Sequence, residues 1–425
     1  MAELDRAPLL NRLEFLTRDA WLLFTTRFIR LFAYGSLSVV LVFYLADLGL
    51  TEFQIGLLLT LTLIGDTAVS LYLTTRADRI GRRPMLIIGA ALMAGAGLVF
   101  AFTSVFWLLV LAGTIGVISP SGHEVGPFLS IEQAALSHVV TDRTRTRVFA
   151  WYTLAGSLAT AIGALAAGRL TRVLQHTTMP AVGAYQTVVI LYAAIGVVLA
   201  ACFSRLSRAA EASSLGEKRA FRATFAGLSG LDRSRDVVVK LSALFALDSF
   251  GGGFVVQSFA AYWFYLRFGV NPATLGTIFF WANIFAGLSA LVASRLAARF
   301  GLITTMVATH LPSNVLLILV PLMPNLPLAV FMLLLRFSIS QMDVPARQSY
   351  IMAVVAPEER SAAAGITGVA RTVGAAISPL FVGFMFARPS LINLPFFIAG
   401  TLKIGYDLLL YKEFVSIRPP EEVRP

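Results

Sequence analysis

The sequence predicts an all-α membrane protein of twelve transmembrane helices, arranged as two six-helix bundles that arose by duplication of one unit. Three observations lead to this fold class. Of the 425 residues, 57% are hydrophobic and 13% are charged, with a mean hydropathy of +0.78, which is more apolar surface than a soluble core can hide. Twelve stretches have the roughly 20 apolar residues that a bilayer crossing requires. A sequence pattern also recurs about 220 positions along the chain.

The predicted spans are numbered 1 to 12 along the chain. They cover residues 23–46, 54–75, 84–104, 107–137, 148–174, 184–204, 240–266, 273–294, 302–320, 327–355, 362–386 and 392–411. We expect an N-terminal segment, 1–22, a first bundle, 23–205, a central linker, 206–236, a second bundle, 237–412, and a tail, 413–425. Charged residues mark the linker, and Phe221, Phe225 and Leu228 have the spacing of a short helix on the membrane surface. The alternative is a disordered tether.

An ungapped match reveals the duplication. Gly56–Gly81 aligns with Gly276–Gly301, and Asp47-Leu48-Gly49 aligns with Arg267-Phe268-Gly269. A second match, displaced by 215 positions, relates Glu132-Gln133 to Arg347-Gln348, and Val139, Arg145 and Gly168 to Val354, Arg360 and Gly383. Halves with an even number of helices share one orientation, so the repeat is a parallel one.

The basic residues predict the topology. Of 34 Lys and Arg, 24 fall on one side of the predicted spans, so both termini and the linker are expected to be cytoplasmic. The net charge of +11 therefore indicates topology and some affinity for anionic lipid, not nucleic acid. Charged residues interrupt residues 1–20, so no cleaved signal peptide is expected.

No cofactor is expected from the sequence. The single Cys202 excludes an intramolecular disulfide and a cysteine-based metal site, and the four His, at 123, 138, 176 and 310, lack metal-ligand spacing. A phosphate-binding GxxxxGK[ST] loop is absent from the sequence, so a proton gradient rather than ATP is the predicted energy source.

The connection between spans 2 and 3 reads Asp78-Arg79-Ile80-Gly81-Arg82-Arg83. With twelve spans in two halves and a cytoplasmic linker, this motif resembles the major facilitator superfamily over essentially the whole chain. The resemblance implies secondary transport by alternating access, without enzymatic activity, around a cavity between spans 1, 4, 7 and 10. It also implies a conformational latch of Asp78, Arg79, Gly81, Arg82 and Arg83, with Asp78 near the N-terminal end of span 11 and the arginines holding cytoplasmic partners and lipid headgroups.

The chain departs from the family pattern in three places. Thr74 stands where the family usually has Gly, and span 4 lacks the family's Arg near residues 111–113. The glycine-rich antiporter motif of span 5 is present only as Gly156, Gly163 and Gly168, without its proline. The first difference bears on how closely span 2 packs against span 11, and the other two leave the drug/proton antiporter subclass undecided.

Twelve charged residues lie inside the predicted spans, where each costs roughly 2.5–3.5 kcal/mol unless it faces protein or water. The residues assigned to a central substrate cavity are Arg30, Tyr34, Glu124, Asp248, Arg336, Ser340, Asp343, Arg347 and Arg371. Helical spacing places the four from span 10 on one face. The alternative is buried ion pairing that fixes helix register, which is the interpretation we favour for Lys403 and Asp407 on span 12.

Span 4 contains Ser119-Pro120-Ser121-Gly122-His123-Glu124-Val125-Gly126-Pro127, which predicts a bend or opening near the bilayer midplane. We expect Glu124 to carry a coupling proton, because a partly dry cavity disfavours a charged carboxyl group. Asp66 is the second predicted proton site and His123 a weaker candidate. The alternative is a simple kink with Glu124 paired to an Arg. Glu132 is expected to pair with Arg143 or Arg145.

The sequence therefore predicts a proton-coupled secondary transporter that exports a small amphipathic organic molecule. The first alternative is proton-coupled uptake or facilitated transport of an organic anion, because arginine suits carboxylate and phosphate. A lipid scramblase or flippase, or a sensor that does not transport, is an alternative of another class. We expect a monomer that binds its small-molecule substrate and the lipid bilayer, in a bacterial inner membrane.

Overall fold

The computed structural model describes residues 17–123, 127–139, 142–177, 179–207, 210–211, 231, 233–356 and 359–417. Within these ranges the chain is helical and has no strand. The helices are α1 (Arg18–Asp47), α2 (Glu52–Ile80), α3 (Arg82–Phe102), α4 (Phe106–Ile115), α5 (Phe128–Val139), α6 (Asp142–His176), α7 (Ala181–Phe203), α8 (Arg235–Gly253), α9 (Gln257–Phe268), α10 (Pro272–Phe300), α11 (Leu302–Leu319), α12 (Leu326–Phe337), α13 (Asp343–Val354), α14 (Arg360–Phe386) and α15 (Leu394–Phe414). Short 3₁₀ helices follow α11 and precede α15.

The membrane fold is confirmed. In the part of the chain that the structure describes, ten helical segments are long and apolar enough to cross a bilayer, and two shorter apolar helices, α4 and α12, lie within predicted spans 4 and 10. The number of crossings and the side on which the termini lie stay predictions.

Three predicted spans are interrupted. Span 4 opens between α4 and α5, where Gly122 has a positive φ of 71°, as its prolines and glycines predict. Span 7 is broken between α8 and α9, and span 10 between α12 and α13. Backbone that leaves the helix at membrane depth is tolerated only where protein or a water-filled cavity satisfies its polar groups. All three breaks therefore mark the interior of the bundle.

Two helix pairs, α2 with α14 and α6 with α10, make the most extensive contacts between the halves. The first pair crosses at glycines. A Cβ atom on Gly56 would lie 2.5 Å from the carbonyl oxygen of Pro379, and one on Gly383 would lie 2.4 Å from that of Glu52. Such distances leave no room for a side chain, so the two backbones touch, as small residues permit in membranes. Thr74 stands where the family usually has the glycine that allows close packing of this helix. In this chain α2 packs closely against α14 at Gly56 instead.

The second pair crosses in the same way. A Cβ atom on Gly276 would lie 2.5 Å from the carbonyl oxygen of Ala164, and one on Gly168 would lie 2.6 Å from that of Pro272. The repeat aligns Gly56 with Gly276 and Gly168 with Gly383. The two crossings are therefore equivalent positions of the duplicated unit, which contact each other reciprocally.

We call the end of the bundle that carries residues 80–82, 203–207 and 233–235 the linker end, and the end that carries residues 47–52 and 268–272 the distal end. The halves meet near the distal end, where Phe43 packs edge-on against Tyr262, with ring centroids 5.7 Å apart. Gln257 donates a hydrogen bond to Ser38 at 2.8 Å, and the Ser258 N–H and hydroxyl donate to the Pro120 carbonyl at 3.1 and 2.5 Å. The bundle is thus closed between its centre and the distal end.

Carboxylates hold the ends of the connection between the halves. Glu211 accepts the N–H groups of Arg82 and Arg83 at 2.6 and 3.2 Å, at the start of α3. Glu359 accepts those of Arg233 and Ser234 at 3.0 and 2.9 Å, just before α8. Free N–H groups at a helix start attract anions, which explains both contacts.

The predicted latch is only partly described. Gly81, with φ 120°, makes the turn between α2 and α3, and the side chains of Asp78 and Arg79 lie outside the described residues. The guanidinium of Arg82 is buried and donates to the carbonyl of Ala210 at 3.3 Å. The expectation that Arg82 holds lipid headgroups is therefore wrong, because the chain after α7 covers it. Arg83 is exposed, and the latch role stays a prediction.

Candidate functional site

A buried charge network lies in the C-terminal half, where four helices meet. Asp248 on α8 receives Lys403 Nζ from α15 at 2.6 Å and an Arg347 guanidinium nitrogen from α13 at 3.1 Å. The same Arg347 nitrogen lies 3.4 Å from Asp343, one turn earlier on α13. The favoured interpretation of Lys403 as a structural ion-pairing residue fits this contact, although its partner lies on another helix.

The network continues through a histidine. His310 on α11 has Nε2 3.6 Å from Asp248 Oδ1 and Nδ1 2.8 Å from Asp407 Oδ1. Asn314, one turn further on α11, donates to Asp407 Oδ2 at 2.9 Å. Sequence reasoning treated this histidine only as a poor metal ligand. The spacing of His310 and Asn314 on one face of an apolar span was the available signal.

Arg336 and Arg371 differ from the other buried arginines. Both lie within electrostatic reach of Asp248 and Asp343, yet among the described residues neither forms an ion pair, and the buried Nε of each has no hydrogen-bond partner. Both side chains are partly exposed, whereas Arg347 is 3% exposed. Each of these two arginines therefore carries a positive charge that no carboxylate among the described residues contacts.

Among the described residues, the buried charges around Asp248 do not balance. Four permanent cations, Arg336, Arg347, Arg371 and Lys403, stand against three carboxylates, Asp248, Asp343 and Asp407, which leaves one positive charge before His310 is counted. A positive charge without a counterion is costly inside a membrane protein. The arrangement therefore favours an anion.

The predicted stripe on span 10 needs a correction. Arg336, Ser340, Asp343 and Arg347 were placed on one face of a continuous helix, but residues 338–342 are not α-helical. Pro345, in the first turn of α13, explains the break, because its ring would clash with the carbonyl group four residues earlier. Ser340 is buried within the break, and its hydroxyl has no partner among the described residues.

The N-terminal half contains a second buried ion pair. The guanidinium of Arg30 on α1 binds both oxygens of Glu132 on α5, at 2.6 and 2.7 Å, and both side chains are fully buried. Thr26 donates to the same carboxylate at 3.1 Å, and so does the hydroxyl of Tyr152. α5 packs beside α1, which turns Glu132 toward Arg30. The side chains of Arg143 and Arg145 lie outside the described residues, so the expected pairing of Glu132 with either of them stays a prediction.

These two ion pairs correspond through the duplication. Glu132 and Arg347 are equivalent positions in the fourth span of each half. Each pairs with a residue of the first span of its own half, Arg30 in one case and Asp248 in the other. The contact between first and fourth span is thus kept, with the charges reversed.

The structure brings some of the other predicted site residues of the N-terminal half close to one another, but not all of them. Tyr34 is fully buried and stacks on Tyr192, with ring centroids 6.2 Å apart, and Tyr192 lies within electrostatic reach of both Arg30 and the buried Asp66. His123 lies exposed in the opening of span 4. Glu124 lies outside the described residues, so its proton-coupling role stays a prediction, as does that of Asp66.

Comparison with known proteins agrees with this architecture. The family model described as Major Facilitator Superfamily matches residues 23–266 and 241–425. The chain is 32% identical over 426 residues to an uncharacterised membrane protein of Saccharomyces cerevisiae, YJR124C, covering 94% of this chain and 95% of that one. It is 30% identical over 104 residues, 24% of this chain and 27% of the relative, to the quinolone resistance protein NorA of Staphylococcus aureus. A mutant of the nucleoside transporter NupG has a similar structure, with a TM-score of 0.74 at 12% identity, covering 93% and 99% of the two chains.

The full-length yeast relative lends no support to the expected bacterial inner membrane. A multi-pass membrane protein is what the comparisons and the helices together show. The family model covers nearly the whole chain, in two segments that overlap at residues 241–266. The chain belongs to the major facilitator superfamily and is a membrane transporter, not an enzyme.

Proposed function

We propose that the protein is a secondary transporter of an organic anion, which Arg336 and Arg371 bind from the C-terminal half. The observation that carries this proposal is the contrast among the buried arginines. Arg30 and Arg347 are committed to carboxylates, whereas Arg336 and Arg371 are partly exposed and have no ion-pair partner among the described residues.

The chemistry and depth of these arginines suit a transport site. A guanidinium group donates two parallel hydrogen bonds to a carboxylate or phosphate. Arg371 lies eleven residues into α14, about 16 Å from its start, which is close to half of a hydrocarbon core of roughly 30 Å. Binding sites of transporters built from repeats lie near this midplane, where they can be exposed to either side.

Matched ligands test the proposal. Purified full-length protein would be titrated with benzoate, phenyl phosphate, benzyl alcohol and benzylamine while thermal unfolding is followed. We expect the two anions alone to raise the melting temperature. Arg336→Gln and Arg371→Gln should each weaken anion binding by roughly 10- to 100-fold, since a hydrogen bond to a charged group contributes about 1.5–3 kcal/mol.

The control is Arg172→Gln, which removes an exposed arginine near the distal end of α6. It should bind the anions as the natural protein does. Equal stabilisation by benzylamine or benzyl alcohol would contradict the proposal, and so would unchanged affinity in both arginine variants.

A second candidate is proton-driven export of a small amphipathic molecule, with Glu124 and Asp66 as proton carriers. The local similarity to a quinolone resistance protein supports it. In proteoliposomes with an imposed pH gradient, Glu124→Gln and Asp66→Asn should abolish gradient-driven flux and keep exchange without a gradient. Glu413→Gln, at the surface end of α15, is the control. Gradient-driven flux that persists in both variants would exclude these residues from coupling.

A further inference from the structure

His310 and Asp407 form a buried pair that differs from the other ion pairs of the bundle. Asp248 has two permanent cations, Lys403 and Arg347, within 3.1 Å. Asp407 is 1% exposed, and its partners among the described residues are His310 and Asn314 alone. Lys403 lies one turn from Asp407 on α15 but turns its ammonium group to Asp248. A buried carboxylate without a permanent cation is costly unless a proton neutralises it.

The histidine geometry indicates where that proton lies. A neutral imidazole has one N–H group and can serve one carboxylate, whereas an imidazolium donates from both nitrogens. The two ring nitrogens of His310 face two different carboxylates, Asp407 at 2.8 Å and Asp248 at 3.6 Å. Nδ2 of Asn314 also lies 3.1 Å from Nδ1. The ring thus lies between two carboxylates, both of which an imidazolium could serve.

The surroundings of His310 contain charges of both signs. The charged and titratable groups around it are Asp248 from α8, Arg336 from α12, Asp343 and Arg347 from α13, and Lys403, Tyr406 and Asp407 from α15. From α10, the described charged side chains are Arg295 and Arg299, which are exposed near the linker end. Of these groups, the carboxylates of Asp407 and Asp248 lie nearest to the ring nitrogens.

We propose that His310 and Asp407 together hold a proton that is taken up and released during transport, as a coupling site in the C-terminal half. The proton binds a ring nitrogen of His310 when the bundle is open to water and leaves from the same nitrogen, so no other reactant is required. Asp248, between His310 and Arg347, connects this pair to the arginines of the candidate anion site.

The coupling of this proton to substrate rests on the proposed function. With His310 protonated, the C-terminal half carries one further positive charge, which strengthens the attraction for an anion. By thermodynamic reciprocity, a bound anion then holds the proton more tightly by the same factor. Anion and proton would therefore travel together.

Nitrogen NMR of the imidazole rings tests the proton site without any substrate. The chain has four histidines, so ¹⁵N-histidine labelling of the full-length protein in nanodiscs gives few signals, and His310→Gln identifies those of His310. We expect the His310 ring to become protonated on acidification, and in Asp407→Asn to lose its proton at a lower pH, because an anion that favours the imidazolium is gone. The exposed His176 serves as the internal control.

Two outcomes would overturn the proton site. One is a His310 ring that stays singly protonated from acidic to alkaline pH, and the other is a titration that Asp407→Asn leaves in place. Asp407→Asn keeps the shape of the side chain, so it remains informative if His310→Gln fails to fold.

The coupling has its own measurement. Benzoate affinity would be measured over a pH range in which benzoate stays ionised, and it should rise as the pH falls in the natural protein but stay flat in His310→Gln. A persistent pH dependence in His310→Gln would refute the coupling. If benzoate does not bind at all, the proposed anion transport fails while the NMR titration still decides whether His310 holds the proton.

Discussion

Glu132→Ala is expected to lower the melting temperature of the protein strongly. The substitution leaves the guanidinium of Arg30 fully buried without the carboxylate that binds two of its nitrogens, and it also removes an acceptor of the Tyr152 hydroxyl. Breaking one partner of a buried pair costs about 3–5 kcal/mol, a large share of the roughly 5–15 kcal/mol that holds a typical protein together. Size-exclusion yield and thermal unfolding in detergent would measure the loss.

A double variant separates charge from packing. Arg30→Met combined with Glu132→Leu should recover much of the lost stability, because apolar side chains of similar volume replace a buried pair at little cost. Glu413→Ala, which removes one partner of an exposed ion pair with Lys240, should change the melting temperature little. A melting temperature of Glu132→Ala equal to that of the natural protein would show that the ion pair does not stabilise this half.

Gly56→Leu is the second change with a large expected effect, because it acts on the closure of the bundle. Its Cβ atom would lie 2.5 Å from a backbone oxygen of α14, which cannot move aside as a flexible side chain can. Overpacking costs about 1–3 kcal/mol, so the closed distal end should become roughly 5- to 150-fold less populated. If transport requires this end to close in every cycle, the transport rate should fall by a similar factor.

Distances between spin labels would show the shift directly. Labels at the exposed Asp47 and Asn271, introduced as cysteines in a Cys202→Ser background, report the separation of the halves at the distal end. Gly276→Leu, at the equivalent crossing, should widen the distance as Gly56→Leu does. Gly95→Leu is the matched control, since a side chain at Gly95 meets nothing within 4 Å. An unchanged distance in Gly56→Leu would mean that the crossing does not govern closure.

The fold could be predicted because a bilayer imposes a long apolar run on every helix that crosses it. The opening of span 4 was also predictable, since Pro120, Gly122 and Pro127 act on the backbone locally. The break in span 10 was missed because no proline or glycine lies within residues 338–342, and the signal, Pro345, stands beyond it. A break in a helix could be predicted from the sequence where the prolines and glycines that cause it lie within the broken segment.

The pairing of buried charges could not be predicted in the same way. Glu132 has arginines nearby in sequence, yet its partner, Arg30, is 102 positions away. His310 was overlooked because its two carboxylates come from other helices, and the one signal in the sequence was its spacing from Asn314 on the same helix face. Such contacts depend on how the helices pack. The sequence alone shows which charged residues need a partner inside the membrane, but it does not show which residue that partner is.

The reversed ion pairs have a consequence for how the chain assembles as it is synthesised. Two bundles from one duplicated unit present similar surfaces, so helices of one half risk pairing with the wrong half. In such an exchange Arg30 would meet Arg347, and Asp248 would meet Glu132, which brings like charges together where water cannot screen them. The opposite polarity therefore gives each half an identity of its own, and only the native choice of partner neutralises both pairs.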